Sequence, residues 1–514
     1  MMIALISIAL LLLIIFVKAI ADWRRIQSPL FEFLVGGGVL VVWVLLFLSQ
    51  PDAPQRVVLI PWGADVLFPA SPTLLIDTFA WLFVTALAGF AFFCTVTMSG
   101  ETQLVWILGS ISVSMLGVLS ENALTLLFFW SLLDFLWLIT FLRFQDLSVD
   151  HNRFVIVFLY RMLGPVFLIS ASFLSFIENG SFSLLEMTPR VGIYFLGAAL
   201  FRLDYMVPSV ISGGERDGQE DLFGVERTAP LAISFMLIAR VAEMGVGDVP
   251  SVPFFVLTVI SLFGSGLWWW LASDPLQGRG CWTIGLFALS LSASFMGIPE
   301  ASIAWGVSLI LTGNILFIKR VRGPMHVLLI ALFFLGFGVL PYTPLWEGGI
   351  LFSQGTIGLV LGVGYGVLFL GALRDMIFHH RDGEKFEEVS SILAYLGPVS
   401  LLLTQFLLGM RLGLFQDSTG FWKGEWWFLV PYATLLPFIL LQRLNITPPD
   451  GIHEIRAVWG KVFDRLTGTF LPVSRASTGL VMSIFKLLEG KGGVIWALLG
   501  IFFLLSVLAI RGGG

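Results

Sequence analysis

What most constrains this chain is the recurrence of uninterrupted apolar stretches along its whole length. Runs of roughly 17–25 residues, about sixteen in all, follow one another, and each is long enough to carry a helix across about 30 Å of hydrocarbon. A helix satisfies its backbone hydrogen bonds internally, as lipid demands, whereas a membrane barrel would show alternating segments of about ten residues. Hydrophobic residues make up 57% of the chain and charged residues 12%, which excludes an ordinary soluble domain. The sequence therefore predicts an all-α polytopic membrane protein of about 14–16 transmembrane helices. They begin near residues 2, 30, 73, 103, 122, 154, 191, 229, 251, 281, 301, 325, 355, 391, 426 and 493.

Basic residues gather in alternate connections: Arg24 and Arg25; Arg143 and Arg153; Lys319, Arg320 and Arg322; Arg374, Arg381 and Lys385; and the tract from Arg443 to Lys491. By the positive-inside rule these connections are cytoplasmic, so both termini face the outer side of an inner (cytoplasmic) membrane. The stretch Met1–Val17 has its charges after the apolar run and no small-residue cleavage site, and reads as a retained first span. Residues 1–102 are expected to form N-terminal helices with an external hairpin, Val57 to Ala70, rich in strand formers and prolines. Two five-helix repeats are expected over 103–247 and 248–378, then peripheral helices over 379–443, a surface segment over 444–492 and an anchor helix over 493–514.

The polar stretch Ser212–Arg227 reads as a solvated cytoplasmic loop. In the surface segment, Ile452, Ile455, Trp459, Val462 and Leu466 recur at helical spacing among charged residues, the pattern of an amphipathic helix lying on the membrane until Pro472 breaks it. Cys94 and Cys281 lie far apart in or at the edge of apolar spans and suggest neither a disulfide nor a metal cluster. The paired His379 and His380 at a span end read as interfacial. No nucleotide loop, zinc motif or catalytic triad is visible, so the chain is expected to do no covalent chemistry and to hold no cofactor or metal. The net charge of −5 gives no reason to expect nucleic-acid partners.

Ionisable side chains inside spans are expensive, and so are the functional candidates: Asp134, Arg161, Arg202, Asp204, Arg240 and Glu243. Arg240 and Glu243, three apart, share a helix face and can neutralise each other, whereas Arg202 and Asp204 must find partners elsewhere. Structural ion pairing between helices is the competing reading. None of the seven lysines lies within a span, Lys18 being placed at a span end. Proline followed by polar or small residues interrupts the seventh span, RLDYMVP with Pro208, and the twelfth, LPYTPLWEGG with Pro341, Pro344 and Glu347. Such breaks are tolerated where freed carbonyls line a cavity; a plain kink is the alternative. Lying five spans apart, they suggest two inverted repeats, spans four to eight and nine to thirteen.

Several stretches resemble the antiporter-like membrane subunits shared by respiratory complex I, membrane-bound hydrogenases and Mrp cation/proton antiporters. LLIDTFAWLF (Leu74–Phe83) is similar to the segment in which an aspartate opens an apolar helix. NALTLLFFWSLLDF (Asn122–Phe135) looks like the run ending in Phe-Trp-Glu-Leu, with Ser131 at the glutamate's place. LGAALFRLDYMVP resembles the broken-helix motif, Arg202 lying within one residue of its buried lysine, and Thr228–Val246 resembles the stretch after the break, with Met236 near the family's histidine. DPLQGRG precedes the tenth span, and LPYTPLWEGG stands where the family has Leu-Pro-Pro, with Glu347 near the expected lysine or glutamate. The tail resembles the surface helix and anchor of the longest members.

The resemblance implies a membrane subunit of a proton-translocating, NADH-quinone oxidoreductase-like complex, conducting protons or monovalent cations while partner membrane subunits in the bilayer carry the redox chemistry. In that reading Asp134 is the acid displaced by one turn from Ser131, and Arg202 its fixed electrostatic partner. Two alternatives stand beside it: a non-pumping scaffold that keeps the fold, and an Mrp-like antiporter or a partner in inorganic-carbon transport.

Overall fold

The computed structural model describes residues 2–25, 28–59, 61, 70–98, 103–144, 151–203, 220–245, 251–271, 275–313, 324–378, 388–413 and 429–433. The chain divides into two compact units, residues 1–147 with 160–446, and residues 148–159 with 447–514. Of the second unit only 151–159 are described, and they are helical. The surface segment, the anchor, His379, His380, Asp204 and Pro208 lie outside the described residues.

The first helices are α1 (Met2–Trp23), α2 (Pro29–Leu48), α3 (Thr78–Thr97), α4 (Leu104–Val118), α5 (Ala123–Phe144), α6 (His151–Asn179), α7 (Gly192–Phe201) and α8 (Glu220–Met244). They are followed by α9 (Ser251–Leu271), α10 (Pro275–Phe295), α11 (Pro299–Thr312), α12 (Pro324–Phe337), α13 (Pro344–Gly349), α14 (Gly355–Phe378), α15 (Glu388–Gly413) and the short α16 (Val430–Ala433). Seven of the described helices are long and apolar enough to cross a bilayer, and four shorter apolar helices accompany them. This is a multi-pass membrane protein, and the helix starts follow the expected ones closely.

Three expected boundaries shift. Thr73–Ile76, expected to start the third span, is strand β2, antiparallel to β1 (Gln55–Val58) in the register Gln55↔Ile76. Asp77 then starts α3 as its N-cap, its carboxylate accepting from the Ala80 N–H at 2.9 Å. The hairpin is thus present: β1 overlaps the Val57–Ala70 segment at Val57 and Val58 and β2 follows it, while residues 60 and 62–69 lie outside the described residues. Residues 220–227, read as part of a solvated loop, are the first turns of α8, and residues 275–280, read as preceding the tenth span, are the first turns of α10.

The hairpin is fixed to the helix ends beneath it. The Asn122 side chain caps α5 by accepting from the Thr125 N–H at 2.9 Å, and its amide donates to the Ser71 carbonyl at 2.8 Å. The Thr73 N–H donates to Thr125 Oγ1 at 2.9 Å, and buried Glu121 accepts from Ser183 Oγ at 2.7 Å. One face of the bundle is therefore defined by the hairpin, the start of α5 and the end of α2, where Trp81 Nε1 donates to the Leu46 carbonyl at 2.7 Å.

The break expected at Pro341 and Pro344 is real, and a plain kink is excluded. α12 stops at Phe337, Tyr342 takes a left-handed φ of 64°, and Pro344 restarts the chain as the first residue of α13. A 3-10 turn over Ile350–Ser353 leads on to α14. Two of the carbonyls freed at the end of α12 accept from side chains of other helices: Gln405 Nε2 donates to Gly336 O at 2.8 Å and Tyr365 Oη to Phe337 O at 2.6 Å. α15 approaches so closely that a Cβ at Gly409 would lie 2.2 Å from the Tyr342 carbonyl oxygen, which is why glycine stands there. Trp282, Trp305, Phe333, Phe337, Phe352 and Tyr365 fill the space around the break with rings in mutual contact.

Candidate functional site

α5 turns its residues so that Ser131 and Asp134, three apart, point different ways. Ser131 is exposed and spends its hydroxyl on the Leu127 carbonyl of its own helix at 2.9 Å, whereas Asp134 is buried. Two arginines converge on Asp134. Arg161, from α6, donates through Nε to Asp134 Oδ1 at 3.0 Å, and Arg202, at the C-terminal cap of α7, donates through Nη1 to the same oxygen at 2.5 Å. All three side chains are at most 7% exposed.

Aromatic faces complete the packing around the guanidiniums. Arg161 lies 4.7 Å from the centroid of a Trp137 ring and Arg202 4.8 Å from that of a Trp130 ring, and Arg202 Nη2 also donates to the Trp130 carbonyl at 3.0 Å. Gly164 of α6 makes room for this arm: a Cβ there would lie 3.0 Å from Arg202 Cγ. Asp134 Oδ2 is buried with no hydrogen-bond partner among the described residues. Asp134 stands about 17 Å along α5 from Ala123 at the hairpin face, inside the candidate span Ala123–Thr140.

A second cluster sits at the hairpin face itself. Arg240 of α8 reaches Asp77 Oδ2 through Nη2, approaches Glu243 Oε2 through Nη1 at 3.3 Å, and lies over the Phe79 ring at 5.5 Å. The expected Arg240–Glu243 pair therefore forms, but Glu243 is the outer partner, its side chain 47% exposed, while the closer partner is Asp77. Asp77 was missed as a site residue; its signal was an aspartate immediately before an apolar helix, the place of an N-cap. Glu347 is buried on α13, an element packed against α11 and α15. The structure thus brings together Asp134, Arg161 and Arg202, and separately Arg240 and Glu243.

A third cluster contradicts the expected absence of lysine from the spans. Lys18 lies inside α1 and is 1% exposed, with Nζ 2.9 Å from Asp22 Oδ1 and 2.5 Å from Glu32 Oε1 of α2. A charge five residues from a helix end reads from sequence as snorkelling to the interface; here carboxylates on two adjacent helices hold it inside instead. No group of three or more histidine, cysteine or acidic side chains able to hold a metal ion occurs among the described residues.

At the level of sequence alone, no protein-family model and no curated protein matches the chain. Solved structures do match over nearly all of it. A chain of the archaeal membrane-bound sulfane sulfur reductase, a respiratory membrane complex, superposes with a TM-score of 0.65 at 14% identity, covering 98% of this chain and 100% of that one. A chain of the Mrp complex from Dietzia sp. DQ12-45-1b superposes with a TM-score of 0.67 at 13% identity, covering 99% of this chain and 63% of that one. The chain has the antiporter-like membrane-subunit fold. A chain of respiratory complex I from Thermus thermophilus, solved with bound aureothin, adds a TM-score of 0.57 at 14% identity over 79% of this chain and 98% of that one. Ser131, at the place that the sequence resemblance gives the family's glutamate, is exposed; the buried carboxylate in direct contact with Arg202 at the end of α7 is Asp134, one turn on.

Proposed function

We propose that this chain is a membrane subunit of a multi-subunit complex that moves protons or monovalent cations across an inner membrane, with any redox chemistry carried by partner subunits. The observation that supports this most is a buried carboxylate ion-paired within a candidate span to the arginine of a terminated helix, in a chain with this fold. Such groups are expensive to bury and are kept where they serve an ion path. A guanidinium does not release its proton in proteins, so Arg161 and Arg202 act as fixed charges that shape the field along the path, and Asp134 is the group on which it turns. The five-helix repeats and the outward-facing termini belong to this reading.

The test is transport by the intact complex, purified through this chain and reconstituted into vesicles, with Asp134→Asn. Loss of ion movement with unchanged subunit composition supports the assignment, and undiminished movement overturns it. Sodium and bicarbonate in place of a proton gradient separate the antiporter and inorganic-carbon alternatives.

A second reading, a scaffold that has kept the fold and lost the path, draws on the closure of the α12 carbonyls by Gln405 and Tyr365 and on the rings filling that half. It requires that Asp134→Asn change nothing and that deletion of residues 452–490 loosen assembly.

A further inference from the structure

Little of the α1–α2 pair is buried against the rest of the protein, and the pair ends in a turn that carries two arginines. Ile3–Trp23 and Pro29–Leu48 are each long and apolar enough to cross a membrane, so the turn between them lies at the interface. Lys18 Nζ is shared between Asp22 Oδ1 at 2.9 Å and Glu32 Oε1 at 2.5 Å, which draws both carboxylates onto the ammonium between the helices. Arg24 and Arg25 carry the remaining side-chain charges of the pair, and both are exposed. Trp23 beside them is 83% exposed, an indole at the depth where amphipathic rings meet the headgroups.

Two independent features set this turn apart from an ordinary solvated one. Arg25 takes a left-handed φ of 54° just past the end of α1, its N–H donating to the Asp22 carbonyl at 3.1 Å. Glycine adopts that conformation freely at helix ends and other residues do so at a cost, so the chain holds an arginine where a glycine would be easier. The negative end of the α1 dipole favours a cation here, but one arginine meets that need. The second feature is on α2, where Leu30, Phe33, Leu34, Val41 and Leu48 are exposed and fall on one face at helical spacing. This apolar stripe runs about 27 Å from the arginine turn to the far end of the helix. Gly37 lies on the same face, and a Cβ there would meet nothing within 4 Å, so the stripe is notched on its outer side.

We propose that the α1–α2 turn binds an anionic phospholipid, with the phosphate held by Arg24 and Arg25 and an acyl chain lying along the stripe from Leu30 to Leu48. Guanidinium groups present paired N–H donors that match phosphate oxygens, and adjacent arginines favour a lipid whose phosphate keeps its charge. In a zwitterionic lipid the choline ammonium offsets that charge, so the site discriminates between headgroups. The stripe supplies the apolar length that a lipid uses and a free phosphate does not. The site stands on α1, α2 and their turn alone and does not rest on the transport role proposed above.

The experiment is photo-crosslinking of the full-length protein, with whatever subunits purify with it, in phosphatidylcholine vesicles. The vesicles carry a small fraction of phosphatidylglycerol with a diazirine in its acyl chain or, separately, of the matching phosphatidylcholine analogue, and adducts are located by peptide mass spectrometry. The exposed face of α9, with Val252, Val256 and Ile260 and no charged residue on the helix, is the internal control. The ratio of labelling on α2 to labelling on α9 is expected to be roughly 5- to 30-fold higher for the phosphatidylglycerol analogue, as two arginines at an anionic surface imply. Arg24→Gln with Arg25→Gln should bring that ratio down to the phosphatidylcholine value, and high sodium chloride should lower it in the wild type. Equal ratios for the two analogues, or a preference unchanged in the glutamine variant, overturn the proposal. So does the absence of either adduct on α2, which would mean that a protein partner covers the stripe. If the double variant fails to fold, the wild-type comparison at low and high salt decides the matter, a salt-insensitive preference counting against the arginines.

Discussion

Removing the charge of Asp134 should destabilise the bundle by an amount that depends on what replaces it. Two guanidinium donors meet one oxygen, at 3.0 and 2.5 Å, with all three side chains buried. Asparagine keeps an acceptor in the same place but turns two charge-assisted hydrogen bonds into weaker ones, a loss of about 1 kcal/mol each and about 2 kcal/mol together. Alanine removes the acceptor as well and leaves buried guanidiniums without it, which costs about 3–5 kcal/mol. Replacing the whole cluster, Asp134→Leu with Arg161→Met and Arg202→Met, should recover most of that loss, because no charge then remains to be desolvated. Equilibrium unfolding of the purified protein in mixed detergent micelles would give the order wild type, Asn, Ala, with the triple variant above Ala. An alanine variant within about 1 kcal/mol of wild type would mean that the cluster is solvated and weak, and the reasoning would fail.

Close helix approach supplies a further contrast. A Cβ at Gly306 of α11 would sit 2.7 Å from Phe235 Cβ on α8, so Gly306→Ala should lower stability by about 1–3 kcal/mol, whereas Gly109→Ala on α4, with nothing within 4 Å, should be neutral or raise it; the same unfolding assay compares them. Asn122→Ala loses the cap of α5 and the tie to Ser71, and should cost about 1 kcal/mol and speed hydrogen exchange of the Thr73–Ile76 amides, while unchanged exchange would show that the hairpin stands without it.

Among the described residues, helix order and most start positions were legible because lipid imposes length and apolarity on each span. The start of the third span was misplaced because Thr73–Ile76, Thr-Leu-Leu-Ile, is apolar in either conformation, and four residues carry no period that tells strand from helix. The break at Pro341 and Pro344 was legible from proline chemistry, but the closure of its carbonyls was not, since Gln405 and Tyr365 come from other helices far along the chain. The same holds for the charges. Asp134, Arg161, Arg202 and Arg240 announced themselves by lying in apolar runs, yet their pairings span 27 to 163 residues and depend on which helices become neighbours. Lys18 and Glu32 escaped notice because each lies within a turn or two of a helix end, where a charge is ordinarily solvated.

The three charged clusters lie at three depths, and a membrane voltage distinguishes them. A full crossing of the field is worth roughly 2.3 kcal/mol per elementary charge per 100 mV, so carrying a charge from the hairpin face to Asp134, about halfway, is worth roughly 1.2 kcal/mol. In the proposed ion path, exchange with the near aqueous phase at Asp77 and Arg240 would cross little of the field. Voltage dependence of a rate would therefore locate the step it reports: steep if charge reaches Arg161, Asp134 and Arg202, flat if it stops at Asp77 and Arg240.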